Sequence, residues 1–298
     1  MNFRKKIIIF FIVILVMLTN LSHGKELNSK EEIILAEEIN EIVPNDEIQE
    51  NQGMQIYSDS VILMEQKTGK VLFEKNMNER RYPASTTKIL TAIIAIEKCD
   101  LNEIATASEQ AVNAIKSGYT IANIQPGESF TIEQLLDVLM LQSANEAANV
   151  IAEHISGSTS EFAKLMNEKA KEIGCMNTNF VNANGAHNEN HYSTAYDMAL
   201  IARYCMKNET FRKFANKMEC SLPMTEIWQQ KIDELKEKGK DEEPNRSFKN
   251  TNKLLIPDNM YYYPYCTGMK TGFTTPAKNC LIASSNKNNF ETIVVVLH

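Results

Sequence analysis

The chain has 298 residues, 43% of them hydrophobic and 23% charged, with a formal net charge of -7. These proportions are ordinary for a globular protein and exclude whole-chain disorder, collagen-like repetition and a multispan membrane protein. The charge is unevenly placed: residues 1–24 carry +3, residues 25–53 carry -7, and the remaining 245 residues sum to -3. A body so near balance has no basic footprint, so no nucleic-acid partner is expected.

The chain opens with Arg4, Lys5 and Lys6, then twelve unbroken apolar residues (7–18), then Ser22-His23-Gly24 with small residues at both outer positions. That is the charged start, short apolar stretch and small-residue cleavage site of a secretory signal peptide. A membrane anchor would need about 18 or more apolar residues. The reading is a signal peptide over residues 1–24 and an exported protein. Export permits disulfides among Cys99, Cys175, Cys205, Cys220, Cys266 and Cys280. They are scattered through a domain large enough to build its own core, so buried free thiols are expected. None has a CxxC spacing, and no structural zinc site is expected.

Residues 25–53 are acidic and poor in glycine, which predicts a solvated linker. The folded domain is taken as residues 54–298. Val61-Ile62-Leu63-Met64 and Val71-Leu72-Phe73 flank Lys67-Thr68-Gly69-Lys70, a β-hairpin with a glycine-bearing turn. After Pro83, the stretch from Ser85 through Lys88 to Glu97 predicts a strongly apolar helix. Thr131 and Gln134 form a capping box ahead of another helix. Helical patterns follow over residues 146–155, 160–173 and 195–206, and residues 225–253 read as a polar surface excursion. Three strand-like runs close the chain, at 266–270, 280–284 and 292–297. Strands at both ends with helices between predict an α+β fold: an antiparallel sheet built from both chain ends, flanked by helices, with a helical subdomain.

A Ser-x-x-Lys pair places a hydroxyl and an amine one helical turn apart, where an unprotonated lysine can activate the serine. A helix start also offers backbone N–H groups to an oxyanion. The motif should arise about once by chance in a chain this long, and it occurs at Ser22/Lys25, Ser85/Lys88 and Ser284/Lys287. The first lies at the cleavage site and the last reads as a polar turn, so only Ser85/Lys88 opens a long apolar helix. Ser143-Ala144-Asn145 falls between two helical segments, where a turn can project the hydroxyl and amide into a cleft. Lys270-Thr271-Gly272 follows a strand-like run, and its glycine would admit a substrate backbone. Ser284-Ser285-Asn286 and Lys67-Thr68-Gly69 are decoys for these two patterns, the latter in a hairpin turn. The histidines supply no conventional triad, since no Gly-x-Ser-x-Gly elbow is present, and His191 is assigned to fixing a loop.

The ordered set Ser85-x-x-Lys88, Ser143-x-Asn145 and Lys270-Thr271-Gly272 resembles the three active-site motifs of penicillin-binding proteins and serine β-lactamases. The stretches Glu65-Gln66-Lys67-Thr68-Gly69-Lys70-Val71-Leu72, Tyr82-Pro83-Ala84-Ser85 and His191-Tyr192-Ser193-Thr194-Ala195-Tyr196-Asp197 are similar to low-molecular-mass D-alanyl-D-alanine carboxypeptidases of serine peptidase family S11. The resemblance runs from about residue 54 to the C-terminus.

It implies a β-lactamase/DD-peptidase-like fold and an acyl-enzyme on Ser85 formed from the D-Ala-D-Ala end of a peptidoglycan stem peptide. Lys88 would be the general base, Ser143 a proton relay and Asn145 an orienting group. Lys270 and Thr271 would hold the terminal carboxylate beside Gly272. Backbone N–H groups of Ser85 and Phe273 would form the oxyanion hole. β-Lactam antibiotics would be acylating inhibitors, and no metal or organic cofactor is expected. The implied location is the outer face of the cytoplasmic membrane or the cell wall, with peripheral membrane association. Alanine at 144 and glutamate at 146 stand where the family commonly has glycine and aspartate, and Asn182-Ala183-Asn184-Gly185 lacks the usual proline and histidine. The family's usual C-terminal β domain and membrane helix are expected to be absent. The competing readings are a β-lactamase-type hydrolase, for which no deacylating glutamate is identified, and a truncated penicillin-binding relative without activity.

Overall fold

The computed structural model describes residues 56–240 and 246–298. The signal-peptide and acidic-linker segments, and with them Ser22/Lys25, lie outside the described residues. Strands β1 (Ser60–Glu65) and β2 (Val71–Lys75) form the expected hairpin, and a 3-10 turn (Ala84–Thr87) leads into helix α1 (Lys88–Lys98). Strand β3 (Ile104–Thr106), helix α2 (Glu109–Asn113) and strand β4 (Ser129–Thr131) precede α3 (Ile132–Met140). Helices α4 (Asn145–Ser156), α5 (Thr159–Ile173), α6 (Ala195–Met206) and α7 (Glu209–Asn216) follow. Strand β5 (Glu219–Ser221), helix α8 (Glu226–Glu237) and strand β6 (Ser247–Lys249) come next. Strands β7 (Cys266–Thr274), β8 (Lys278–Lys287) and β9 (Phe290–Leu297) end the chain.

The main sheet is antiparallel in the order β2-β1-β9-β8-β7, so the first and last strands of the domain pair directly. Its two faces are sorted by the two-residue period of a strand. Ile62, Met64, Ile282, Ile293, Val295 and Leu297 face the helices, while Val61, Leu63, Leu281, Ala283, Val294 and Val296 pack under Leu254, Leu255 and Tyr263. With both faces covered, a strand can be apolar at consecutive positions, which is why β9 reads Thr-Ile-Val-Val-Val-Leu.

Helix α1 is buried over residues 88–95 and is apolar on all sides, as a helix through the middle of a domain must be. Fully burying one of its isoleucines contributes about 1.5–3 kcal/mol. The capping box on α3 is formed as expected: Thr131 accepts from the Gln134 N–H and Gln134 accepts from the Thr131 N–H.

Two expectations are corrected. The described part of residues 225–253 is not a solvated excursion: α8 turns Trp228 and Ile232, one helical turn apart, into the protein, and its charges line the outer side. Behind it, Arg246 donates two hydrogen bonds to Glu128, at 2.9 and 2.8 Å, and lies 4.2 Å from the Trp228 ring centre. Ser284 and Lys287 sit within β8 and not in a turn, because the polar run 284–287 pairs with residues 290–293 of β9. All six cysteines are free thiols, four buried and two, Cys99 and Cys220, half-buried.

Candidate active site

Ser85 sits in the 3-10 turn that precedes α1, so Lys88 is the first residue of the α-helix proper. The turn is tight: Ala84 has φ of 49°, in the left-handed region, and Thr86 closes it with a 2.6 Å hydrogen bond to the Pro83 carbonyl. Two glycines grip it. A Cβ at Gly185, itself at φ +77°, would stand 2.0 Å from the Ala84 carbonyl oxygen, and one at Gly272 would stand 3.0 Å from the Ser85 and Thr86 nitrogens. Gly272 therefore admits the serine's own turn, where the sequence reading had assigned it to a substrate backbone. The Lys270-Thr271-Gly272 motif also lies inside β7 and not after it, and β7 is an edge strand of the sheet.

Ser143 joins α3 to α4 with φ of 70°, a strained conformation for a residue other than glycine or asparagine. Asn145 is the first residue of α4. Its amide donates to the Thr120 carbonyl at 2.8 Å, which leaves Oδ1 facing Lys88 Nζ at 2.9 Å. The Lys88 amine also lies 2.9 Å from Ser85 Oγ and donates to the Asn184 carbonyl at 2.5 Å. Ser85, Ser143, Asn145, Thr271, Gly272 and Phe273 share one cleft of about 830 Å³, and Lys88 and Lys270 are buried in its wall. All eight residues singled out in the sequence thus converge. Phe273, 63% exposed, stands on the rim.

Burial first, and the positive charge of Lys270 second, hold the Lys88 amine well below the usual lysine range, against the opposing pull of Glu146. Desolvation is the larger cause and the second cation the smaller one. Burial also brings Lys270 down to about 7, and its ammonium donates to the Thr271 carbonyl at 3.1 Å. His191 Nδ1 accepts from the Val181 N–H at 3.1 Å, and Nε2 lies 2.9 Å from Thr87 Oγ1. Burial and the nearby Lys88 push its pKa down to about 3, so it is a neutral loop fastener.

Sequence reasoning missed four contributors. The Asn184 carbonyl acts through the backbone, which a residue-type search does not see. Thr120 holds Asn145 in the same way. Thr251 shares a 2.6 Å hydroxyl contact with Thr271. Glu146 is buried beside the site, accepting from the Ala122 N–H at 2.6 Å and the Ile124 N–H at 3.3 Å, while burial raises its carboxyl. Its place one residue after Asn145 was the available signal.

Residues 46–298 match the family model described as D-alanyl-D-alanine carboxypeptidase. The chain is 39% identical over 241 residues to the D-alanyl-D-alanine carboxypeptidase DacF of Bacillus subtilis, a match covering 80% of this chain and 56% of that protein. The chain thus spans little more than half the length of that relative. Among solved structures, a mutant of a Streptomyces DD-transpeptidase superposes with a TM-score of 0.71 at 30% identity, over 82% of this chain and 91% of that one. A D-alanyl-D-alanine carboxypeptidase from Mycobacterium tuberculosis superposes with a TM-score of 0.68 at 26% identity, over 81% and 82%.

Proposed function

The chain belongs to the D-alanyl-D-alanine carboxypeptidase family, and from that premise we propose that it is a serine-type D-Ala-D-Ala carboxypeptidase removing the terminal D-alanine of peptidoglycan stem peptides. The observation that carries this reading is the surroundings of Lys88 Nζ. The Asn145 amide oxygen and the Asn184 carbonyl can only accept, so they take the two N–H bonds of a neutral amine. The lone pair is left for the third neighbour, the Ser85 hydroxyl. A desolvated, neutral lysine is the base a serine nucleophile needs.

In the first step Ser85 Oγ attacks the carbonyl carbon of the penultimate D-alanine, and its proton passes to Lys88. Charge developing on the carbonyl oxygen is met by the N–H groups of Ser85 and Phe273, which the close approach of Gly272 to the Ser85 turn supports. Ser143 relays a proton to the leaving nitrogen, the C–N bond breaks and free D-alanine departs. Water then attacks the ester on Ser85, returning the proton to the serine and releasing the shortened peptide. The buried Lys270 ammonium and the Thr271 hydroxyl bind the terminal carboxylate, which gains in strength from the dry site.

Among the described residues no aspartate or glutamate lines the cleft. That favours slow hydrolysis of a β-lactam acyl-enzyme over the β-lactamase reading. Export through residues 1–24, with residues 25–53 as linker and 54–298 as catalytic domain, completes the proposal and places the enzyme at the cell wall. Among the described residues no helix is long and apolar enough to cross a membrane.

The test is D-alanine release from a pentapeptide ending in D-Ala-D-Ala, with Ser85→Ala as control. Serine-dependent release is expected, with loss on the order of 10⁴-fold or more in the variant. A folded preparation that releases none supports an inactive relative, and rapid turnover of penicillin supports the β-lactamase.

A further inference from the structure

Helices α1 and α4 carry Lys88 and Asn145 at their N-terminal ends. Their opposite ends also meet. Cys99 caps α1, His154 lies in the last turn of α4, and Glu103 follows Cys99 by four residues in a turn. The Cys99 sulfur, a Glu103 carboxylate oxygen and a His154 ring nitrogen all lie within 4.8 Å of one another, and His154 Nε2 is 3.1 Å from Glu103 Oε2. We infer that Cys99, Glu103 and His154 form a binding site for a thiophilic divalent transition-metal ion such as Zn²⁺.

The donor set is thiolate, imidazole and carboxylate, each a zinc ligand, with a fourth position open to water. Bonds of about 2.0–2.3 Å at tetrahedral angles separate ligand atoms by about 3.3–3.8 Å. Closing this trio therefore needs shifts of about 1 Å in a half-buried Cys99 and in the exposed Glu103 and His154. The turn is braced for it. The Asp100 N–H donates to Glu103 Oε1 at 2.6 Å, the Glu103 N–H donates to the Asp100 carbonyl, and the Glu103 and Leu101 carbonyls accept from the N–H groups of Ile132 and Glu133.

Electrostatics agree. Two helix C-termini converge on the trio, and their carbonyl ends favour a cation. One thiolate and one carboxylate would neutralise the ion. The sequence reading passed over this set because it sought a CxxC spacing, whereas Glu103 and His154 are 51 residues apart. A bound ion would tie the far ends of the two catalytic helices together while leaving the cleft untouched.

The experiment is Co²⁺ and Zn²⁺ titration of the reduced full-length chain. One equivalent of Co²⁺ should give a thiolate charge-transfer band in the near ultraviolet and visible bands of tetrahedral type. Zn²⁺ should displace it and raise Tm by a few degrees. Cys99→Ser should abolish the charge-transfer band, and His154→Ala should weaken Co²⁺ binding by about tenfold or more. Ser85-dependent D-alanine release should persist in both variants. Absence of the band in the wild type, or its survival in Cys99→Ser, overturns the proposal and leaves His154 and Glu103 as a surface ion pair. Because activity is read separately, failure here is distinct from failure of the carboxypeptidase assignment.

Discussion

Two regions of the protein that bury charge treat it in opposite ways. Behind α8, Arg246 faces Glu128 through two hydrogen bonds, and Glu128 also accepts from Thr225 and from the Gln125 N–H. Trp228 and Phe130 cover the guanidinium. In the cleft wall two lysines of like sign are buried, with Glu146 as the nearby counter-charge. The first arrangement matches every charge with an opposite and holds a segment in place. The second leaves amines with depressed proton affinity, which is the condition for reactivity. The buried charge behind α8 is paired; the buried charge of the candidate site is kept underpaired.

The largest way to break that contrast is Arg246→Met. It strands the Glu128 carboxylate, and a loss of about 3–5 kcal/mol is expected in urea unfolding. Adding Glu128→Gln should recover much of it. A recovery that fails would mean the segment is held by packing on Trp228 and not by the pair.

Lys270→Met should do the reverse, lowering activity while raising stability. D-alanine release should fall on the order of 10²-fold or more with loss of carboxylate binding. The folded pKa is about 7 and the unfolded one about 10.4. Below 7 both states are protonated and the wild type bears the full burden of a buried ammonium. Between the two values the unfolded chain binds more protons, so wild-type stability rises with pH. The Tm advantage of Lys270→Met should therefore be greatest at or below neutral pH and shrink toward pH 10. A constant difference would sink the assignment.

Glu146→Gln keeps an acceptor for the Ala122 and Ile124 N–H groups but removes the carboxylate that raises Lys88. With that pull gone Lys88 loses its proton more readily. The acid limb of the kcat/KM profile should move to lower pH, and an upward move would contradict the role given to Glu146. The smallest effect belongs to Thr251→Val, which removes one hydroxyl partner of Thr271. A cost of about 0.5–1.5 kcal/mol in kcat/KM, mostly through KM, is expected.

Much of the site was legible because its side chains are local in pattern: Ser85 and Lys88 are one turn apart, and Ser143 and Asn145 share one junction. Helix α6 was legible from residue 195 to 206 because Thr194 caps it with a side-chain oxygen. Strands β3 and β5 were not, since three residues are too short for a period to show. Residues 225–253 misled because charges dominate their composition, while two inward residues, Trp228 and Ile232, decide how they pack.

Length, composition and charge determined from the sequence that this is a balanced domain behind an acidic stretch, and ordered motifs named the candidate nucleophile and base. Only the tertiary structure decided what those groups are. Lys88 is depressed because residues from α1, α4, β7 and the 182–185 loop exclude water around it. Desolvation is a property of neighbours distant in the chain, so no local pattern encodes it. The same is true of Cys99, Glu103 and His154, which are close only because the ends of two helices meet.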